Sequence, residues 1–354
     1  MLDGILAQFV QFGNTTEVGE GMRYLVTGGA GFIGSHLVHH LVAAGHDVVV
    51  LDDLSTGRRE NLTPVADRIR LLVGSVTDAE MCRRAMEGVE CVLHHAAVTS
   101  VERSVREPLA AHEVNVTGTV NVLLAAGDAG VRRVVFAGST SAYGNPADLP
   151  NREDDRTHPL SPYAASKLAA EQYCQAFQAT YGLEPVVLRY FNIFGPRQDP
   201  KSQYAAVIPR FIMAALRGES PTIYGDGGQT RDFLYVANVV HANMLASRAP
   251  AAQVAGQVFN VGCGRAISVN ELWQCIRELV GTDVEPEYVE GRPGEVRDSL
   301  AAIEKARELF GYSPVASFDE GLRQTIAYYS HTVVGRRRTE PRGVARRALL
   351  LEPS

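Results

Sequence analysis

The sequence predicts an α/β protein organised around a doubly wound parallel sheet, and three observations carry that prediction. Short runs of valine, isoleucine and leucine alternate with stretches of helical period, a glycine-rich turn follows the first run, and acidic residues close the second. The strand candidates are RYLVT (23–27), DVVVL (47–51), IRLLV (69–73), CVLHH (91–95), RVVFAG (133–138) and PVVLRY (185–190). Each is a largely continuous apolar run, as expected of a strand covered on both faces. Between the first two, SHLVHHLVAA has the spacing of an amphipathic helix, and Gly45 stands where a left-handed residue would close it.

The glycine-rich turn, TGGAGFIGS (27–35), places Gly28, Gly31 and Gly34 between a strand and a helix. Such glycines permit a tight turn, close backbone approach to a pyrophosphate and close packing of helix on strand. A glycine triplet alone is weak evidence, but here its context is right on both sides. Asp52 follows the next strand about 20 residues on, where a carboxylate accepts from adenosine ribose hydroxyls and repels a 2′-phosphate. The expected cofactor is therefore NAD rather than NADP.

Tyr163 and Lys167 stand four residues apart in SPYAASKLAAE. Ser161 is a good N-cap and Pro162 a good first helical residue, so the pair falls in the first turns of a helix that Gly182 would end. Residues i and i+4 share a helix face, so the Lys167 ammonium is placed to favour a Tyr163 phenolate. Upstream, GSTSAYG (138–144) sets three hydroxyls at a strand's carboxyl end, where a serine can orient a reacting hydroxyl. In isolation a Tyr–Lys spacing reads as an ordinary exposed helix pair. With the glycine turn, the acid and the serine loop in order, an NAD-dependent enzyme acting on an alcohol is expected.

After residue 190 the rhythm changes. FNIFGPRQDPKSQYAAVIP is loop-like, and shorter helices follow, among them RFIMAALRG, VANVVHANMLAS and VNELWQCIRELVG. The expected organisation is a leader over residues 1–21, a cofactor domain over 22–190, a smaller substrate domain over 191–330 and a basic tail over 331–354. VFNVG (258–262) is a candidate to rejoin the main sheet, and the active site is expected in the cleft between the two parts. A net charge of −6 argues against a nucleic-acid binder. Five scattered cysteines without a CxxC or metal-ligand spacing point to reduced thiols in a cytosolic protein, and no metal site is expected. No run reaches the ~18 apolar residues a membrane span needs.

The motifs TGGAGFIGSH, LDDLSTG, HHAAVTSVERSVREP, NVTGTVNVL, SPYAASK, RYFNIFGPRQDP and GDGGQTRDFLYV together resemble the extended short-chain dehydrogenase/reductase family, in particular its nucleotide-sugar 4-epimerases. The resemblance spans roughly residues 22–330 and implies a Rossmann-type cofactor domain with a smaller α/β substrate-binding domain. It implies Tyr163 as base, Lys167 as its support and Ser139, four residues before Tyr143, as hydroxyl partner. NAD would be held by Gly28, Gly31, Phe32, Ile33, Gly34, Asp52, Asp53, Ser55, Thr56, Gly57, Ser75, Val76, His95, Ala96, Ala97, Val98, Asn115, Tyr163, Lys167 and Tyr190. Ser75 departs from the pattern, which usually has an aspartate facing the adenine. A UDP-sugar substrate would meet Thr99, Ser139, Thr140, Asn192, Val207, Tyr224, Arg231, Arg292, Glu295 and Ser299, with Arg231 and Arg292 on the diphosphate. A homodimer built from helices of the cofactor domain is also implied.

The same resemblance sorts the chemistry. Related 4,6-dehydratases carry Asp-Glu after the catalytic Ser/Thr, where this chain has Thr140 and Ser141; related decarboxylases carry a Glu at the Ser141 position. The expectation is C4 epimerisation of UDP-glucose or UDP-GlcNAc through a 4-keto sugar. Ser299, where a bulky tyrosine would exclude an N-acetyl group, leaves room for one. A uronate epimerase or decarboxylase and a 4-keto-sugar reductase remain open alternatives, with Arg197 or Lys201 as possible partners for a carboxylate.

Overall fold

A computed structural model describes residues 21–146, 148–200, 207–291 and 296–339, with side chains to residue 331. Its main sheet has seven strands, all parallel: β1 (Arg23–Thr27), β2 (Asp47–Asp52), β3 (Ile69–Val73), β4 (Cys91–His94), β5 (Arg133–Ser139), β6 (Glu184–Tyr190) and β10 (Val258–Val261). They run in the order β10-β6-β5-β4-β1-β2-β3. The direction of winding therefore reverses between β1 and β4, which is where open α/β sheets bind their ligands. Both faces are covered, which is why the strands read as unbroken apolar runs. On β1, Tyr24 and Val26 enter one core and Leu25 the other, following the two-residue period of a strand.

The helices Phe32–Ala43 and Val236–Arg248 pack together on one face of the sheet. Ala79–Ala85, Gly118–Asp128 and Pro162–Tyr181 pack on the other. The last begins as the sequence predicts, with Ser161 Oγ accepting from Ala164 N at 3.1 Å, Pro162 in the first turn and Gly182 left-handed at φ 69°. Gly45, at φ 83°, closes the first helix in the same manner.

Beyond β6 the chain builds two small sheets. β7 (Asn192–Phe194) runs parallel to β9 (Thr230–Tyr235), which pairs antiparallel with β11 (Ala266–Ser268); β8 (Thr222–Tyr224) pairs parallel with β12 (Glu287–Val289). Their shared core holds Phe194, Phe211, Phe233, Trp273 and Phe318. β10 then returns to the main sheet beside β6, with Val258 opposite Val187. The segment of greatest consequence is Asn192–Phe194, because it joins the end of the main sheet directly to the smaller sheets.

Candidate active site

The carboxyl ends of the parallel strands bring Thr27, Asp52, His94, Ser139 and Tyr190 to one edge of the sheet, Ser139 opposite Tyr190 in register. The glycine turn lies at the end of β1. Gly28 has φ 68°, and a Cβ there would stand 2.8 Å from Ala96 N; one at Gly34 would overlap the Gly28 carbonyl. No side chain caps the helix Phe32–Ala43, so its first-turn N–H groups, from Phe32 onward, remain for an anion. This backbone cradle fits a dinucleotide pyrophosphate.

Asp52 is buried, its carboxylate accepting from Ala30 N at 2.9 Å and Leu54 N at 2.8 Å. Burial raises its pKa, and those two hydrogen bonds oppose the rise. A carboxylate holding one donor on each oxygen keeps lone pairs for ribose hydroxyls. Asp53 is exposed and accepts from Ser55 N and Oγ at 2.9 and 2.6 Å, ordering the loop with Thr56 and Gly57. Ser75 accepts from Thr77 N and Oγ1, and the neighbouring Val76 is buried.

A second layer orders the cofactor edge. Thr119 Oγ1 donates to Asn115 O at 2.7 Å, so it must accept from His94 Nε2 at 3.0 Å. His94 Nδ1 is then an acceptor for Thr27 Oγ1 at 2.6 Å, and Thr27 accepts in turn from His95 N and Ala96 N. A neutral imidazole satisfies every partner, and burial pushes the His94 pKa down to about 3. Asn115, in a π-turn at Glu113–Thr117, clamps the loop by accepting from Val98 N and donating to Val98 O, at 2.8 and 3.0 Å. Its side chain is wholly occupied with the Val98 backbone and Ser166 Oγ. His95 stacks on Tyr190 with ring centres 6.0 Å apart, and Asn243 bonds both rings' polar atoms. His95 Nδ1 is buried without a partner among the described residues, an orphan acceptor at the cofactor edge.

Tyr163 and Lys167 lie where the helical spacing predicts. Tyr163 N donates to Ser104 Oγ at 3.0 Å, and its carbonyl accepts from Ser166 Oγ at 2.8 Å, so both ends of the residue are fixed. Burial raises the Tyr163 pKa, and a hydrogen bond with Ser139 lowers it in part. Lys167 is buried and sits over the Phe136 ring, and burial pushes its pKa down to about 8. The Ser139 and Ser141 hydroxyls are 2.8 Å apart, and Thr140 shares their short helical turn.

The smaller sheets enclose a cavity of about 320 Å³ lined in part by Asn192, Val207, Arg210, Tyr224, Gln229 and Arg231. Asn192, Val207, Tyr224 and Arg231 are thus brought together as expected. Arg210 and Gln229 were not anticipated; Arg210 lies three residues after Val207 on the helix Val207–Arg217, a spacing that placed it on the same face. Arg231 Nη1 donates to Thr230 O and Arg297 O, at 2.8 and 2.9 Å. Ser299 is buried beside this region, between Asp298, which accepts from Thr230, and Ala301, whose N–H reaches Asp232. Thr99 is exposed at the mouth of the loop after β4. Arg292, Glu295 and Lys201 lie outside the described residues. Arg197 is turned away from the cavity, its guanidinium on His36 Nδ1 and Asn61 O at 2.9 and 3.3 Å.

A glycine cradle at the β1 end, an acid at the β2 end and a Ser-Tyr-Lys group beyond β5 define a Rossmann-type, nucleotide-dependent enzyme of the short-chain dehydrogenase/reductase class. More narrowly, the chain belongs to the NAD dependent epimerase/dehydratase family, whose model matches residues 24–262, and NAD is its cofactor. It is 43% identical over 312 residues to a UDP-glucose 4-epimerase of Mycolicibacterium smegmatis, covering 87% of this chain and 98% of that one. A UDP-glucose 4-epimerase of Thermotoga maritima solved with UDP-glucose superposes with a TM-score of 0.84 at 41% identity, covering 88% of this chain and all of that one. A UDP-N-acetylglucosamine 4-epimerase of Methanobrevibacter ruminantium, solved with UDP-N-acetylmuramic acid, gives 0.84 at 38% identity over 89% of this chain and all of that one.

Proposed function

We propose that the protein epimerises a UDP-hexose at C4 through a 4-keto sugar. The observation that carries this reading is the Ser139–Tyr163–Lys167 group with only hydroxyls at 140 and 141, so no side chain there can serve as the acid of a dehydration. NAD, when bound, takes up and returns the C4 hydride. Tyr163 accepts the C4 hydroxyl proton and later gives it back, and Ser139 holds that oxygen toward the phenol. The Lys167 ammonium offsets the negative charge that develops on Tyr163, inside a site where burial otherwise disfavours it. The cavity of Asn192, Tyr224, Arg210 and Arg231 holds the nucleoside diphosphate, which lets the keto sugar turn while tethered.

Ser299 is small where a bulky side chain would crowd an N-acetyl group, so UDP-GlcNAc is accepted beside UDP-glucose. The engagement of Arg197 with His36 favours a neutral sugar over a uronate, because that cation is not directed into the cavity. Val101, Val105, Leu109, Leu124 and Tyr173 are exposed on the helices around Pro162–Tyr181 and supply an apolar surface for a homodimer. NMR of UDP-glucose and UDP-GlcNAc with purified enzyme and no reductant tests the reaction: the C4 epimer accumulates without net NADH. Loss of a C6 carbon, or a need for stoichiometric NADH, would overturn it.

A further inference from the structure

Arg197 is one of two non-glycine residues in the described chain with a left-handed backbone, at φ 69°. Such a conformation is unfavourable for a residue with a Cβ, so something must hold it. Among the described residues its largely buried guanidinium meets no carboxylate: Nη2 donates to His36 Nδ1 at 2.9 Å and Nη1 to Asn61 O at 3.3 Å. His36 Nε2 contacts Pro196 O at 2.9 Å, which requires the proton on Nε2 and leaves Nδ1 as the acceptor that Arg197 uses. Asn61 O also receives His39 Nε2 at 2.7 Å.

Asn61 is the junction of this arrangement. Its Nδ2 donates to Ala30 O at 2.8 Å, and Arg58 N donates to the same oxygen at 3.0 Å. Ala30 lies inside the Gly28–Gly34 turn, and its own N–H is held by Asp52. One residue of the cofactor turn is thus held at both its N–H and its carbonyl, and the clamp on the carbonyl is anchored by a residue from the loop after β7. That loop carries a second tie, Arg58 Nη2 to Asp199 Oδ2 at 2.8 Å, and a hydrogen bond from Tyr329 to Gln198 O. It also continues Asn192 and Phe194, which line the substrate-side cavity.

We propose that Arg197 is a positioning residue for the cofactor: through Asn61 it fixes the Ala30 peptide, and so the pyrophosphate turn, from the substrate half of the molecule. The inference rests on NAD binding at the turn and not on which sugar is epimerised. A strained backbone with a buried cation on neutral partners is what a positioning tie needs, because neither feature adds stability of its own.

Arg197→Gly relieves the backbone strain while removing the tie, so the fold tolerates it. The measurement is calorimetric titration of the cofactor-stripped protein with NAD⁺ and with ADP-ribose, which carries the diphosphate without nicotinamide. Both affinities are expected to fall by about tenfold with Tm within a few degrees of the parent. Asn61→Ala, which cuts the strand from the other side, is expected to weaken both ligands similarly, and the double variant to be no weaker than the worse single. Unchanged ADP-ribose affinity in Arg197→Gly, or additive losses in the double variant, would overturn the proposal. If Arg197→Gly fails to fold, Asn61→Ala alone decides: full ADP-ribose affinity in that variant refutes the tie.

Discussion

Lys167 stands with its ammonium over the Phe136 ring, 4.3 Å from the ring centre, one helical turn beyond Tyr163. A cation on an aromatic face in a dry site is held by geometry, and the buried Glu171 carboxylate one turn further on offsets part of its burial cost. Its pKa of about 8 lies below the ordinary 10.5, so between those values the folded chain binds fewer protons than the unfolded one. Stability from this group therefore rises with pH across that window, and its burial costs stability at neutral pH. Lys167→Met should raise Tm at pH 7 by a few degrees, worth about 1–3 kcal/mol. The same change should lower kcat by at least ~10²-fold, as should Tyr163→Phe, whose Tm stays near the parent's. Thermal melts paired with the NMR assay separate the two effects.

Ser141 has no acid function, yet its hydroxyl is 2.8 Å from that of Ser139 and its N–H donates to the same oxygen. Ser141→Ala should lower kcat by about tenfold with KM little changed, because it loosens the hydroxyl without removing it. Ser139→Ala should cost ~10²-fold or more. Equal losses in the two variants would place Ser141 among the groups that touch the substrate.

Glu171 and Arg189 form a buried two-pronged ion pair that ties the Tyr163 helix to β6, with Nε to Oε2 at 2.9 Å and both side chains 3% exposed or less. Glu171→Gln strands a buried guanidinium and should cost roughly 3–5 kcal/mol. A urea melt with a shifted midpoint and unchanged slope would register the loss.

Burial pushes His39, His40 and His95 down to about 4 and His94 to about 3, so all are neutral in the fold. From pH 6.5 down to about 4 the unfolded chain binds more protons, and stability is lost as pH falls. His94 by itself contributes about 1.4 kcal/mol per pH unit in that range. Asp232 works in the opposite sense: its pKa is raised to about 6 by burial, so its contribution is lost as pH rises from 3.8 to 6. The histidines outnumber it. Tm measured from pH 7.5 to 5 should therefore fall steadily, and a flat profile would contradict the neutral assignments.

Ser299→Tyr should remove most UDP-GlcNAc turnover and spare UDP-glucose, with the two rates read by the same NMR assay. Equal retention of both sugars would show that Ser299 does not border the N-acetyl group.

Local patterning alone determined six strands of the main sheet, the glycine turn, the Ser161 cap and the Tyr163–Lys167 spacing. Each depends on residues close in sequence: a two-residue or helical period, a left-handed glycine, a cap and a one-turn separation. It did not determine the short strands of the small sheets, of which β7 lies in a segment that reads as loop. Motif resemblance supplied the rest of the expected site. What the tertiary structure decided were the partners separated by tens of residues. That Arg210 shares a cavity with Arg231 and that Asn243 bonds both His95 and Tyr190 follow from packing distant segments together. The fate of Arg197 makes the same point. Its charge suggested a carboxylate partner, but the left-handed turn after β7 aims it at His36 and Asn61, more than a hundred residues earlier. A charge is visible in the sequence; the direction in which the backbone points it is set only when the chain has folded.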